Sequence, residues 1–298
     1  MVINIYTALN GVGLEKDYLL LKSLMSNHKV RCYDLYKTQF IDKCDLAIHI
    51  EIPKLKGIFV SKKNILIPNP EWFYKKWEKE LVLFDEIWCK TNDCYNIFNK
   101  LHPNCIYTSF ISEDLYDSTI KREKSFIHVA GKSLTKGTEY VIKAYERCKD
   151  LPKCYLLSSK TWKTNGNLIP VSRLQINEFK KIINSNLFHL CPSVYEGWGH
   201  YIHEALGVGN IVLTTNHPPM NEFIKQNLIK ISNKGTLELA ETGIPSVDSI
   251  IEEIKNAMNL SDSQIKEIGD KNREDFLNRN KRFEIFIKSR IDNDTNTN

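Results

Sequence analysis

Short apolar runs alternate with amphipathic stretches along most of this 298-residue chain, and no other feature constrains its fold as strongly. In the first third, buried strands are predicted at 2–6, 30–33, 46–50, 64–67, 86–89 and 105–109. Amphipathic helices are predicted among them at 14–26, 70–77 and 93–101. Strands and helices that alternate at this spacing are typical of a parallel sheet with crossover helices, so the sequence predicts an α/β fold.

The alternation breaks once and then resumes. Residues 112–124 are polar and charged without apolar periodicity, which predicts a linker between two domains. Beyond it, strands are predicted at 126–130, 154–158, 187–191 and 211–214, and helices at 138–148, 176–184, 201–207 and within 246–290. We therefore expect a Rossmann-like domain at 1–115, a second at 116–275, and a C-terminal segment, 276–298, whose polar end from residue 291 is disordered.

The composition excludes several classes of protein. It is globular, and the net charge of +5 comes without an Arg- or Lys-rich tract, so no nucleic-acid partner is expected. The eight cysteines form no C-x-x-C pair and predict free thiols in a reducing compartment. The N-terminus lacks a signal-peptide pattern and no run of 18 apolar residues occurs, so we expect a cytoplasmic protein.

Two glutamates flank a glycine-rich turn in the second predicted domain. Glu196 lies in the turn after the strand at 187–191, and Glu204 follows in the next helix, with seven residues between them. A helix N-terminus presents free N–H groups and a partial positive charge, which suits a phosphate. A carboxylate on either side accepts hydrogen bonds from sugar hydroxyls. This arrangement predicts a site for a nucleotide sugar, and a turn with two solvated acids is the alternative.

A second loop in the same domain carries two lysines. Residues 131–137 read Gly-Lys-Ser-Leu-Thr-Lys-Gly between a predicted strand and a predicted helix. The ammonium groups of Lys132 and Lys136, with the hydroxyl of Ser133, predict an anion site, because the glycines allow close backbone approach. The glycine-to-lysine spacing is not that of a P-loop. A solvated surface loop is the alternative.

The segment 192–199, Pro-Ser-Val-Tyr-Glu-Gly-Trp-Gly, followed by Glu204-Ala205-Leu206, resembles the E-x7-E signature of retaining glycosyltransferases, and the family 4 group in particular. The loop at 131–137 resembles that family's Gly-Arg-x-x-x-x-Lys-Gly segment, with lysine in place of arginine at 132 and one residue fewer. The resemblance implies the GT-B fold, in which two Rossmann-like, doubly wound domains face each other across a cleft. The first domain, 1–115, would then lie on the acceptor side, and the second, 116–275, would bind the nucleotide sugar. It also implies that the C-terminal helix packs back toward the first domain.

The resemblance implies roles for individual residues. Lys136 and Lys132 would stabilise the leaving diphosphate without a metal or another cofactor. Glu196 would contact hydroxyls of the transferred sugar, and Glu204 those of the ribose. The phosphates would meet the backbone amides near Gly199, His200 and Tyr201. In this family the donor phosphate itself is thought to assist the acceptor, so neither glutamate is assigned as a nucleophile.

Other substrate contacts are implied by position alone. Gly11 and Gly13 follow the first strand, where the family has a glycine loop near donor and acceptor. Asn69 and Glu71 stand where many members carry a histidine, and a helix start with proline at its first position is the alternative. Asn216 falls near the nucleotide, although turn chemistry also explains that segment. Weaker candidates for the cleft are His49, Glu51 and 90–92.

The sequence therefore predicts a metal-independent, hexosyltransferase-like enzyme that moves a sugar, with retention, from a nucleotide-diphosphate sugar to an unidentified glycan, lipid or protein acceptor. No metal site is predicted, because His200 and His203 have no third ligand. The alternatives are an inactive nucleotide-sugar-binding protein and an enzyme at the membrane periphery. A basic aromatic face that would support membrane contact comprises Trp72, Phe73, Lys75, Lys76, Trp77 and Lys79.

Overall fold

The computed structural model describes residues 1–37, 40–164, 166–172 and 174–292. The chain divides into two compact units. The first unit comprises Met1–Ile111, Leu237–Ala240 and the described residues from Arg279 onward. The second unit comprises Ser112–Thr236 and Glu241–Asn278. Each unit is built around a parallel sheet, as the alternation in the sequence predicts.

The sheet of the first unit has six strands in the order β2-β1-β3-β4-β5-β6, and its paired neighbours are parallel. Its strands are β1 (Val2–Thr7), β2 (Lys29–Asp34), β3 (Cys44–Ile50), β4 (Ser61–Ile67), β5 (Glu86–Cys89) and β6 (Cys105–Tyr107). Its helices include α1 (Gly13–Leu24), α2 (Leu55–Ile58) and α3 (Asn92–Phe98). The central strands are apolar and buried on both faces, as expected for a parallel sheet covered by helices.

The second unit has a sheet of six strands in the order β12-β11-β10-β7-β8-β9. Its strands are β7 (Glu123–Gly131), β8 (Cys154–Ser158), β9 (Leu168–Val171), β10 (Asn186–Cys191), β11 (Ile211–Thr215) and β12 (Leu228–Ile229). Its helices are α4 (Thr138–Arg147), α5 (Ile176–Ser185), α6 (His200–Gly207), α7 (Met220–Phe223) and α8 (Val247–Met258). In the core, the Phe126 and Phe188 rings stack with centroids 4.8 Å apart.

Two further features complete the described chain. A ribbon is formed by β13 (Ile231–Leu237) and β14 (Ala240–Pro245). The last helix, α9 (Asp262–Asp292), belongs to the second unit up to residue 278 and to the first from Arg279. Its final turns place Phe283 4.8 Å from Phe110, ring centre to ring centre, within the first unit. Among the described residues, no helix has the length and apolar character needed to cross a membrane.

Several element predictions were wrong. The helix predicted at 70–77 is instead two 3-10 segments, Pro70–Trp72 and Lys75–Leu83. The chain opens between them because Phe73 is buried against Phe98, with the ring centres 5.1 Å apart. The predicted linker 112–124 overlaps β7, which begins at Glu123. Of the tail predicted to be disordered, residues 291 and 292 extend α9, and the remainder lies outside the described residues.

Four strands escaped prediction: β9, β12, β13 and β14. The sequences of β12 and β13 explain why these two were missed. β12 has only two residues, and β13 is polar at Ser232, Asn233 and Lys234, so neither shows the period-two alternation of a half-buried strand. Pairing with neighbouring strands, which a single sequence does not display, stabilises them.

Candidate functional site

The second unit's sheet changes direction between β7 and β10. From β7 the chain builds outward through β8 and β9, then returns to place β10 on the other side of β7. The connections that follow β7 and β10 therefore run to opposite sides of the sheet, and the loops that begin them lie at its carboxyl edge, which is where open α/β sheets bind ligands. These loops are the two that the sequence analysis singled out, 131–137 and 192–199.

The two loops are held against each other by backbone contacts. The Val194 N–H donates to the Thr135 carbonyl at 2.8 Å. Gly137 has φ +70°, and a Cβ added there would lie 2.9 Å from the Pro192 carbonyl carbon and closer still to its oxygen. A glycine is therefore required for this approach. On the other side, Thr215 Oγ1 donates to the Ser193 carbonyl at 2.6 Å, which fixes the loop to the end of β11.

An ion pair joins the loops at their centre. Lys136 Nζ lies 2.9 Å from Glu196 Oε1, and the two side chains are 18% and 12% exposed. Ser193 Oγ donates to the same carboxylate oxygen at 2.5 Å. Lys136 Nζ also lies 3.7 Å from the centre of the Tyr201 ring, a cation–π contact. The structure thus brings together Lys136, Glu196 and Tyr201, three residues that the sequence analysis proposed for one site.

The hydrogens of this network can be assigned. Ser193 Oγ and Tyr201 OH are 2.5 Å apart. The serine has one proton, which goes to Glu196, so Tyr201 donates to Ser193. Burial raises the pKa of Tyr201 well above its usual value, so the phenol keeps the proton it donates. Ser193 belongs to the motif at 192–199, but its two partners, Glu196 and Tyr201, become evident only in the folded chain.

The helix that follows presents its N-terminus at the same edge. α6 begins after Gly199, which has φ +76°, and the described residues provide it with neither a side-chain cap nor an acidic residue in the first turn. The first intrahelical bond runs from the Ile202 N–H to the Gly199 carbonyl, so the N–H groups of His200 and Tyr201 precede the helical ladder. The helix dipole adds partial positive charge there. This end of α6 suits an anion.

The side chains around that end are packed rather than arranged as metal ligands. The His200 Nδ1 lies 2.9 Å from Ser112 Oγ, which also accepts from Trp198 Nε1 at 3.0 Å. The His203 ring stacks on Trp198 with a centroid separation of 3.8 Å and meets Phe223 edge-on. Within the described ranges, no group of three or more His, Cys, Asp or Glu side chains is arranged to hold a metal ion.

The remaining predicted residues of the second unit occupy different environments. Glu204 is buried in α6. Lys132 is exposed and forms no hydrogen bond or ion pair with any described residue. Ser133 Oγ lies 2.8 Å from Thr135 Oγ1, so its hydroxyl forms a hydrogen bond within the loop. Asn216 is exposed, and its side-chain oxygen accepts from Asn221 at 3.1 Å. The core of the site is therefore Lys136, Glu196 and the start of α6.

A buried histidine that the sequence analysis missed lies beneath the loops. His128 Nδ1 lies 2.7 Å from the Leu190 carbonyl oxygen, and Nε2 lies 2.9 Å from Thr138 Oγ1. Burial is the largest influence on this ring and lowers its pKa to about 4, so it is neutral at pH 7. Its two contacts connect β7 with β10 and with the start of α4, which makes it a positioning residue for the site.

The predicted residues of the first unit lie at the carboxyl edge of its own sheet. Gly11 has φ +70°, and its N–H donates to Glu15 Oε2 at 2.8 Å, so residues 10–13 form a local turn into α1. Gly13 is the first residue of α1. Asn69 and Glu71 are both buried, and Asn69 Nδ2 donates to Glu51 Oε2 at 2.6 Å.

No protein-family model and no curated protein sequence matches the chain. Solved structures do match it. Sucrose-phosphate synthase from Thermosynechococcus elongatus superposes with a TM-score of 0.74 at 9% identity, over 100% of both chains. A glycosyltransferase from Rickettsia africae gives 0.72 at 9% identity, over 97% of this chain and 98% of that one. HepE from Anabaena, solved in complex with UDP-glucose, gives 0.69 at 12% identity, over 100% of both chains.

Likeness at such low identity shows the fold. The two parallel six-stranded sheets with their helices match GT-B glycosyltransferase structures over the whole chain, so this chain has the α/β GT-B fold. The predicted fold class, two Rossmann-like doubly wound domains, is confirmed.

Proposed function

We propose that this chain is a glycosyltransferase that moves a sugar from a nucleotide-diphosphate sugar to an acceptor. The observation that carries the proposal is the Lys136–Glu196 pair, which lies between two glycine-rich loops at the switch point of the second sheet, beside the N-terminus of α6. HepE, a structure of the same fold, was solved with UDP-glucose, and this supports a donor of that class.

The charges of the site suit a diphosphate leaving group. A lysine ammonium has three N–H donors, and Lys136 uses one of them for Glu196. The others are available for phosphate oxygens, and the dipole of α6 adds partial positive charge at its N-terminus. Negative charge grows on the diphosphate as the sugar departs, so these groups stabilise the transition state more than the ground state. Lys132, exposed on the same loop, is the second cation.

The carboxylates suit the sugar and the ribose. Glu196 Oε1 accepts from both Lys136 and Ser193, whereas Oε2 accepts no hydrogen bond from the part of the chain that the structure describes. That oxygen is available to a hydroxyl of the transferred sugar. Glu204, one turn into α6, is assigned to the ribose hydroxyls. Gly199, His200 and Tyr201 then meet the phosphates through their backbone, and Asn216 lies at the nucleotide end.

The finer assignment rests on the E-x7-E motif. We propose a family 4-like enzyme that transfers a hexose with retention and without a metal ion, and whose acceptor is a glycan, a lipid or a protein. Donor phosphate oxygens, held by Lys136, would take the acceptor's proton as the new bond forms on the face that the diphosphate leaves. This route needs no protein nucleophile, and Glu196, whose Oε1 accepts from Lys136 and Ser193, is assigned to the sugar hydroxyls instead.

Contact with a membrane surface is a second proposal. Trp72 is 49% exposed and Tyr74 43% exposed, next to the exposed lysines 75, 76 and 79. The face predicted from the sequence needs one correction, since Phe73 is fully buried and does not contribute to it. Exposed aromatic rings beside lysines suit the interface of an anionic bilayer.

The donor assignment is tested by thermal stabilisation with a panel of nucleoside diphosphates and their sugars. A ligand at 100 times its Kd should stabilise the folded protein by about 2.7 kcal/mol. We expect one base to be preferred, the stabilisation to be lost in Glu204→Gln, and the matched control Glu146→Gln, on the exposed face of α4, to retain it.

Two results would speak against this assignment. Stabilisation by none of the diphosphates would contradict a donor site in the second unit. Stabilisation without turnover, against any acceptor tested, would favour the inactive nucleotide-sugar-binding protein instead.

A further inference from the structure

A second polar cluster lies in the first unit, apart from the residues assigned above to the donor. It comprises Asp17, Glu51, Asn69, Lys90 and Ser109, which we call the strand-edge cluster. Glu51 directly follows β3, Asn69 follows β4 by two residues, Lys90 directly follows β5 and Ser109 follows β6 by two residues. Asp17 comes from α1, the helix after β1. Five secondary-structure elements thus bring polar side chains to one edge of the sheet.

Two members of the cluster flank the switch point of the first sheet: Asp17 comes from the helix after β1, and Glu51 directly follows β3. β1 lies between β2 and β3, so the connections from β1 to β2 and from β3 to β4 build the sheet in opposite directions. Ligands of open parallel sheets bind outside the carboxyl ends of the strands at this point. Glu51 is held there because its N–H donates to the Ile67 carbonyl at 2.9 Å, one step beyond the β3–β4 ladder.

The side chains form two polar pairs. Lys90 Nζ and Asp17 Oδ2 are 3.1 Å apart, and the side chains are 2% and 4% exposed. Glu51 Oε2 accepts from Asn69 Nδ2 at 2.6 Å. Burial is the largest influence on the pKa of Glu51 and raises it, the Asn69 hydrogen bond and the charge of Lys90 lower it, and the charge of Asp17 raises it.

Two features of the cluster cost stability and point to a ligand. Glu51 and Ser109 have φ of +68° and +61°, a left-handed conformation that side chains other than glycine adopt rarely. Such strain tends to persist at functional sites. In addition, Asn69 Oδ1 and Ser109 Oγ have no hydrogen-bond partner among the described residues. Both residues are buried, each with only 8% of its surface exposed. Buried polar atoms of this kind require an explanation.

The polarity of the cluster selects the ligand. Its available groups are a carboxylate on Glu51 and the amide oxygen of Asn69, which only accept hydrogen bonds, and the hydroxyl of Ser109, which both donates and accepts. Lys90, its one cation among the described residues, is neutralised by Asp17. The cluster therefore offers no net positive charge to a phosphate or a carboxylate, and it offers acceptors to a compound rich in hydroxyl donors.

We propose that the strand-edge cluster binds an uncharged sugar ring of the acceptor, with Glu51 and Ser109 hydrogen-bonded to its hydroxyls. That this sugar is the acceptor rests on the proposed transfer reaction. The binding site itself is argued only from residues of the first unit. This proposal limits the acceptor to molecules whose reacting end is a neutral glycan and excludes those that end in a sugar phosphate.

The test uses the full chain without a donor, so that it does not depend on the second unit. Saturation-transfer NMR is recorded with a panel of methyl hexosides and the corresponding hexose 6-phosphates. At least one methyl hexoside should give a signal, and its phosphate a weaker one. Glu51→Gln should weaken binding roughly 10- to 100-fold, the range for a hydrogen bond to a charged group. Glu78→Gln, on the same unit, is the matched control.

A second variant separates binding from folding. Ser109→Gly removes the hydroxyl but suits the left-handed backbone, so it should weaken glycoside binding without lowering the melting temperature. A purely structural Ser109 would leave glycoside binding unchanged in this variant. That result would overturn the inference, as would a preference for the phosphates, no signal from any methyl hexoside, or a signal that Glu51→Gln leaves intact. Glycoside binding in a protein that binds no nucleoside diphosphate would sustain the inference and refute the transfer reaction.

Discussion

Gly137 is one of the points at which loops 131–137 and 192–199 touch, and replacing it tests that contact directly. The change Gly137→Ala carries two penalties. Alanine at φ +70° costs about 1–2 kcal/mol, because the left-handed conformation brings Cβ against the carbonyl that follows it. The new methyl group would also collide with the Pro192 carbonyl, which is backbone and cannot rotate away.

The collision is hard to relieve. The loop at 192–199 is fixed by the Val194 N–H bond to Thr135 and by Thr215 Oγ1 on the Ser193 carbonyl. Overpacking of this kind costs about 1–3 kcal/mol, so the total destabilisation should be roughly 2–5 kcal/mol. Gly166→Ala is the matched control, because Gly166 has φ +57° with nothing within 4 Å of the added Cβ. It should cost only the conformational part, about 1–2 kcal/mol.

Urea denaturation of both variants measures the difference. We expect Gly137→Ala to unfold at lower urea than Gly166→Ala, by an amount equal to about 1–3 kcal/mol, and to bind nucleoside diphosphate more weakly. If the two variants are equally stable within about 0.5 kcal/mol, the loops are not in the contact described here and the reasoning fails.

Three further predictions concern pH, membranes and stereochemistry. The folded-state pKa of His128, about 4, lies below the unfolded value of about 6.5, so the neutral ring's contribution is complete above pH 6.5 and is lost as the pH falls toward 4. Urea midpoints at pH 7 and pH 5 should therefore fall less in His128→Gln than in wild type, and equal falls would contradict this. Sedimentation with phosphatidylserine vesicles should decrease when Trp72 becomes Ala, and Val82→Ala, another exposed apolar residue, should have little effect. If both substitutions reduce vesicle binding equally, the membrane proposal is wrong. Proton NMR of the first product formed from an α-linked donor should show an α-linked sugar, and a β-linked product would refute retention.

The sequence located the two glycine-rich loops of the second unit because their signals are local. Glycine loops after apolar strands predicted that Lys136, Glu196 and Gly199 would lie at carboxyl ends of strands. The meeting of Lys136 with Glu196 depends on β7 and β10 being neighbours, which follows from the order of strands and not from any single segment. From the sequence, only the resemblance to the glycosyltransferase family indicated that the two loops belong to one site.

The first unit was harder to predict because its contacts are longer in range. Asn69 was proposed by position, yet its partner Glu51 lies 18 residues earlier, and Lys90 is paired with Asp17 across 73 residues. The segment at 70–77 has helix-like spacing, but burial of Phe73 in the core outweighed it. Positive φ at Glu51 leaves no mark in the sequence, since that conformation is imposed by the surrounding sheet.

The proposed chemistry depends above all on the ammonium of Lys136. Once the stabilisation panel has identified the donor, release of its nucleoside diphosphate should be followed in wild type, Lys136→Met and Lys143→Met. Lys143 is the matched control, because it also lies near an aromatic ring, 5.3 Å from the centre of Tyr140, but on the exposed face of α4. Loss of a charge that stabilises the leaving group should lower kcat by roughly 10²–10³-fold in Lys136→Met, and Lys143→Met should turn over like wild type. Equal turnover in all three proteins would contradict the assignment of this site.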